Sequence, residues 1–237
     1  MNFLESSAKP LLAKAGIPTP RSYVVNTLNG VEKAARLLDG RCVVKAQVPT
    51  GKRGKAGGIK LANSVNAALK HADRIFKLEI DGHKVNRLLI EEAVPIAHEM
   101  YAAVINDPAT KGPLILFSAK GGMDIEELTA KHPETLIRIP VDIRKGVQPQ
   151  AIAAELAKTM REGVPATATI LTRLYDVFVK HDAELVEINP LAVSRRGDVL
   201  ALDCKLVIDD SAIPRQEDVA ALGAPEKLTD LEERAAE

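Results

Sequence analysis

The chain has 237 residues, 46% apolar and 27% charged, and its 32 basic and 32 acidic side chains cancel. That length allows one large domain or two small ones with ample core, and zero net charge gives no global field to recruit nucleic acid or an anionic membrane. The absence of Trp and the 3% aromatic content argue against base-stacking platforms. Cys42 and Cys204 sit in apolar runs without zinc spacing, which predicts buried, reduced thiols. Met1 to Glu5 carries no basic leader, and no run approaches the ~18 apolar residues of a membrane span. A soluble cytoplasmic protein is expected.

Arg21 to Val25 and Cys42 to Ala46 read as strands, with a helix from about Leu28 to Leu38 between them. After a loop, Gly58 to Leu61 resumes a strand, and Ser64 caps a helix to about Phe76. Arg87 to Glu92, Glu99 to Ile105 and Pro113 to Ala119 read as strands, followed by helices over Met123 to His132, Ala151 to Met160 and Thr167 to His181. The last places Ile170, Leu171, Leu174, Val177 and Phe178 on one face. From Pro214 the chain turns polar and acidic, ending in a solvated tail or helix around Thr229 to Arg234. An α+β fold with mixed sheets is expected, with a boundary near Val94-Pro95-Ile96.

Between the second and third strands lies a basic, glycine-rich loop. From Arg41 to Ala72 there are seven Lys and Arg and no Asp or Glu, and Gly51, Gly54, Gly57 and Gly58 fall within eight residues. Glycines let backbone N–H groups approach an anion closely. Neither G-x-x-x-x-G-K-[ST] nor G-x-G-x-x-G is present, so the P-loop and Rossmann mechanisms lack their signature. A flap over phosphates, with Lys45 as the fixed cation on the strand, is the functional reading; a solvated loop or an RNA-phosphate contact is the alternative.

The end of the pattern is a hairpin. Ser194-Arg195-Arg196-Gly197-Asp198 reads as its loop, with Gly197 supplying positive φ. A three-residue loop over Arg195 to Gly197 sets Asn189 opposite Asp203 and Glu187 opposite Lys205. Side chains alternate along a strand, so Glu187, Asn189, Asp203 and Lys205 share one face while Val186, Ile188, Leu202, Cys204 and Leu206 share the core face. Two carboxylates, an amide oxygen and an ammonium suit Mg²⁺ and a polyphosphate. A hairpin with one wet face is the plain alternative.

These segments, taken in order, resemble the beta subunit of succinyl-CoA synthetase in its ATP-grasp portion. The resemblance rests on Met1 to Lys9, Val43-Val44-Lys45-Ala46-Gln47, Arg53-Gly54-Lys55-Ala56-Gly57-Gly58, Ile96-Ala97-His98-Glu99-Met100-Tyr101, Gly121 to Glu126, Glu187-Ile188-Asn189-Pro190-Leu191 and Leu202 to Leu206. It implies an ATP-grasp fold with nucleotide between two α+β subdomains, one of residues 20–95 and one of 1–19 with 96–237. It further implies that Lys45 contacts nucleotide phosphates and that Lys52, Arg53 and Gly54 cover them. Glu91 would meet base and ribose beside Glu92, Ala93 and Val94, and Glu99 would hold the ribose or base side. Asn189 and Asp203 would bind Mg²⁺, and Glu187 would face a phosphohistidine supplied by a partner alpha subunit.

The implied reaction is phosphoryl transfer from ATP (or GTP) in an ADP-forming acid–CoA ligase of the tricarboxylic acid cycle type, acting on succinate or a related acid such as malate or citrate. The chain's own histidines are not expected as acceptors: His71 and His181 read as surface residues on helices, His83 and His132 as turn residues, and His98 as a strand residue near the site. Three positions depart from the family pattern: Lys52 stands where glycine is usual, Cys204 replaces a small residue, and Pro10 should start or kink the first helix. Family members also continue into a flavodoxin-like domain that this sequence lacks, so the piece is expected to bind Mg·nucleotide and complete no acyl-CoA cycle alone. Another ATP-grasp ligase making an acyl phosphate, or a non-catalytic nucleotide-binding module, are the competing readings.

Overall fold

A computed structural model describes residues 1–51, 53–123, 125–224 and 234, apart from the side chains of Leu128 and Lys131. The first helix, α1 (Glu5–Lys14), runs through Pro10 instead of starting there. Pro10 is exposed, so its missing N–H and its ring face solvent and the helix tolerates it. Next come β1 (Ser22–Val25), α2 (Leu28–Leu37), β2 (Cys42–Ala46), β3 (Ile59–Ala62), α3 (Val65–Ile75), the two-residue strands β4 (Glu79–Ile80) and β5 (His83–Lys84), and β6 (Leu88–Glu92). Thr27 and Ser64 cap α2 and α3, their hydroxyl oxygens each accepting a backbone N–H at 3.1 Å.

Strands β1, β6, β2 and β3, in that order, form a small sheet. Its two faces differ because side chains alternate along each strand. Cys42, Val44, Ala46, Leu88 and Ile90 pack on Val31, Ala34 and Ala35 of α2 and on Ala68, Ala72 and Ile75 of α3. The opposite face, with Val43, Lys45, Ile59, Leu61 and Glu91, borders a cavity.

The chain then crosses at Pro95 into a larger sheet. Its elements are β7 (Ile96–Asp107), β8 (Gly112–Ser118), α4 (Ile125–Lys131), β9 (Leu136–Pro140), α5 (Pro149–Leu156), α6 (Val164–Lys180), β10 (Ala183–Ser194), β11 (Val199–Ala201) and β12 (Lys205–Ile208). The strand order is β11-β10-β7-β8-β9, with β12 also on β10. Met100, Ala102 and Val104 of β7, with Ile115 and Phe117 of β8, face the main core, which Leu11 and Leu12 of α1, Ile152 of α5 and the apolar stripe of α6 complete. Tyr101 and Ala103 point to the other face with Leu114 and Leu116.

Several expectations need correction. Every strand pair among the described residues is antiparallel, so the sheets are not mixed. His181, expected at the surface, is buried where α6 ends. Strands β4, β5 and β9 were not anticipated. After Pro214 the described chain does not leave as a tail: a helical turn over Glu217–Ala220 returns it to the N-terminus, where Ala224 bridges Asn2. The expected tail around Thr229 to Arg234 lies, except for Arg234, outside the described residues.

Candidate active site

The hairpin register is the expected one. Val193 faces Val199, Leu191 faces Ala201 and Glu187 faces Lys205, with Gly197 at φ +89 in the turn. The ladder lapses between Ala201 and Lys205, however, where Leu202, Asp203 and Cys204 leave regular strand geometry. Leu202 therefore does not join the core: it is only partly buried, lines the cavity, and offers its carbonyl to two ammonium groups. Val186, Ile188, Cys204 and Leu206 are buried as expected.

The cavity encloses about 700 Å³ and is walled by the open face of the small sheet, the glycine loop, the β6–β7 connection and the hairpin. Lys45, Arg53, Gly54, Glu91, Val94, Glu187, Asn189 and Asp203 all border it. Glu99 does not; its carboxylate lies over Gly122, where any Cβ would collide with it. Lys52 lies outside the described residues. Of the four loop glycines, Gly57 is needed for its φ of +79 and Gly58 for space, since a Cβ there would meet Ile80 at 2.9 Å. Gly51 and Gly54 have open space before them.

Beneath the cavity is a buried ion cluster. Lys45 Nζ donates to Glu5 Oε1 at 2.9 Å, to Glu91 Oε1 at 2.6 Å and to the Leu202 carbonyl at 2.5 Å. Lys9 Nζ donates to Glu91 Oε2 and, at 2.8 Å, to the same carbonyl. Arg53 reaches Glu5 Oε2 at 2.8 Å through Nη1, and grips both Asp203 oxygens at 2.6 and 2.7 Å through Nη2. The loop arginine is thus buried, not solvated. Burial would push the Glu5 carboxyl up, but Lys45, Lys9 and Arg53 together hold it well below the usual range. Glu91 moves the other way: burial and the neighbouring Glu5 charge outweigh its lysines. Burial works against the charged forms of Lys45 and Arg53, yet the surrounding carboxylates raise both.

On the hairpin side, Tyr101 donates to Glu187 Oε2 at 3.1 Å, and burial raises the Glu187 carboxyl despite that bond. Asn189 Oδ1 accepts the Gly122 N–H at 3.0 Å and its Nδ2 donates to the Met123 carbonyl at 2.8 Å, fixing which end of the amide faces which partner. No group of three or more His, Cys, Asp and Glu among the described residues forms a ready metal cage. Asn189 and Asp203 are oxygen donors of the kind Mg²⁺ takes beside substrate phosphates, but both Asp203 oxygens are held by Arg53 and Asn189 Oδ1 by the Gly122 N–H, so a metal would have to share or displace those bonds.

Glu5, Lys9 and Tyr101 were not anticipated as part of the site. An acid and a base at i, i+4 on a helix ordinarily form a solvated pair, so only their place in the quoted N-terminal segment hinted at more.

The chain is 40% identical over its whole length to the beta subunit of an ADP-forming succinate–CoA ligase from Rubrobacter xylanophilus, covering 62% of that subunit. It is 39% identical over 99% of its length to a GDP-forming counterpart from Thermus thermophilus, again covering 62%. The chain thus spans about three fifths of the length of the curated relatives it matches. Among solved structures, ATP citrate lyase from Methanothrix soehngenii superposes with a TM-score of 0.74 at 24% identity, over 97% of this chain and 57% of that one. A dinucleotide-forming acetyl-coenzyme A synthetase from Ca. Korarchaeum cryptofilum gives 0.70 at 18% identity, over 88% and 93%. The ATP-grasp domain profile matches residues 2–193. With that match and the two sheets facing one cavity, the chain belongs to the ATP-grasp family.

Proposed function

We propose that this chain is the nucleotide-binding part of an acid–CoA ligase, holding Mg·ATP or Mg·ADP and exchanging the terminal phosphoryl group with a histidine of a partner alpha subunit. The observation that carries the reading is the meeting, in one cavity, of Lys45 of the small sheet and Arg53 of the glycine loop with the hairpin oxygens of Glu187, Asn189 and Asp203. The names of the relatives support it: succinate–CoA ligase beta subunits, both ADP- and GDP-forming. Residues 20–95 would form the smaller unit, and 1–19 with 96–237 the larger.

Phosphoryl transfer needs positioning and charge neutralisation more than covalent help from the protein. Val43, Ile59 and Leu61 offer an apolar wall to a purine ring, beside Glu91 and Glu92 at the end of β6 and Ala93 and Val94 of the β6–β7 connection. Lys45 and Arg53 would neutralise phosphate charge, with Gly54 leaving the loop backbone free to close. Asn189 and Asp203 would hold Mg²⁺, which when bound draws phosphate oxygens together and offsets their charge. Glu187, held by Tyr101, would accept a hydrogen bond from the ring nitrogen opposite the one that is phosphorylated. In the transfer the terminal P–O bond breaks, an N–P bond forms, and ADP keeps the bonding electron pair. None of the described helices is long and apolar enough to cross a membrane.

The test is transfer of label. The chain is mixed with γ-labelled ATP, Mg²⁺ and the alpha subunit of a succinate–CoA ligase. Acid-labile, base-stable label on the alpha chain is expected; nucleotide binding without any labelled alpha subunit would reduce the chain to a binding module.

A further inference from the structure

Helix α1 contributes two charged side chains, Glu5 and Lys9, that lie buried under the cavity. The Glu5 side chain is 0% exposed, and its two oxygens are divided among Lys9 of the same helix and two cations from other elements. Oε1 accepts from Lys45 at 2.9 Å and lies 2.9 Å from Lys9 Nζ, while Oε2 accepts from Arg53 at 2.8 Å. The same helical turn is tied to the end of β2 by Ser6 N, which donates to Gln47 Oε1 at 2.9 Å. Lys45 comes from the small sheet and Arg53 from the glycine loop, so one carboxylate from a third element sets the separation of two cations.

Buried ion clusters give little net stability for the desolvation they incur. What this one supplies is geometry. Lys and Arg are the most rotamer-rich side chains, and ordering them before a ligand arrives removes that entropic penalty from binding. We infer that Glu5 is a positioning residue: it holds Lys45 and Arg53 in place at the cavity wall before a nucleotide polyphosphate arrives, with Lys9 and Lys45 together balancing Glu5 and Glu91. The inference rests on the nucleotide-binding reading above and assigns α1 a part in it.

The experiment compares the parent chain, Glu5→Gln and Glu5→Asp, titrating each with Mg·ADP and, by competition, with adenosine. Glu5→Gln should weaken ADP by about tenfold or more although it leaves the cavity one unit more positive, and adenosine should be unaffected. Glu5→Asp keeps the charge but withdraws the carboxylate by one methylene, and should weaken ADP by about threefold. If Glu5 acted only as a charge, Glu5→Gln would tighten ADP and Glu5→Asp would be silent. A purely structural role would leave the ratio of ADP to adenosine affinity where it was. Either outcome overturns the inference. If Glu5→Gln does not fold, Glu5→Asp decides alone. A parent chain that fails to bind ADP overturns the nucleotide reading and this inference with it; a parent that binds, with both variants unchanged, overturns this inference only.

Discussion

Glu5, Glu91 and Asp203 meet Lys9, Lys45 and Arg53 in a cluster whose formal charges cancel. Removing one partner leaves a buried charge unanswered, so Glu5→Gln should destabilise the fold by about 3–5 kcal/mol, measured by urea unfolding near neutral pH. That penalty should depend on pH with a definite sign. Because Glu5 is held below its ordinary value, its contribution is present above the unfolded value of about 4.3 and is lost as pH falls through the lower folded value. The stability gap between parent and Glu5→Gln should therefore narrow on acidification from that point. Glu91 is raised in part by the Glu5 charge, so Glu5→Gln alters its titration too and the gap reports the coupled pair. A gap that stays constant down the acid limb would contradict the burial and partners described. The two free cysteines give a simpler check. Cys42 and Cys204 are buried and burial raises both thiols. A thiol reagent should label neither in the native protein and both after denaturation.

The terminal hairpin shows how far an element can be read from its residues. Alternation from Val186 to Leu206 and the glycine at 197 were enough to set the register, because slipping by one residue would turn the apolar set to solvent. Gly197→Ala should cost about 1–2 kcal/mol, since φ +89 strains any residue with a Cβ although nothing crowds that position. An equal unfolding midpoint would show that the turn relaxes. Ser64→Ala should cost about 1 kcal/mol through loss of the bond from Ala67 N. Other features left no mark of their own. Strand β9 is a five-residue strand ending in Pro140 that, among the described residues, pairs only with β8, and β4 and β5 have two residues each. Such short segments hold their shape by neighbours, not by periodicity. The interruption at Leu202 to Cys204 was equally unreadable: alternation assigns Leu202 to the core, whereas its carbonyl is taken by Lys9 and Lys45 from distant parts of the chain.

Across the whole molecule, the cavity forms because α2 and α3 both pack on the same face of the small sheet and leave its other face to the cavity. That face meets the hairpin edge of the large sheet, and α1 lies between them, bonded to both through Glu5 and Lys9. The sequence disclosed the two ends of this arrangement, the basic loop and the oxygen-bearing hairpin, and a family resemblance joined them. It did not disclose that Arg53 would reach across to Asp203, a contact between residues 150 positions apart, nor that an ordinary i, i+4 pair would sit at the centre of the site. Titrating the chain with ADP by calorimetry, with and without Mg²⁺ and beside Asp203→Ala, decides whether the cavity holds Mg·nucleotide. ADP binding by the parent should be strengthened by Mg²⁺, and that strengthening should be lost in Asp203→Ala. No ADP binding by the parent, or an undiminished Mg²⁺ dependence in the variant, would contradict the Mg·nucleotide reading.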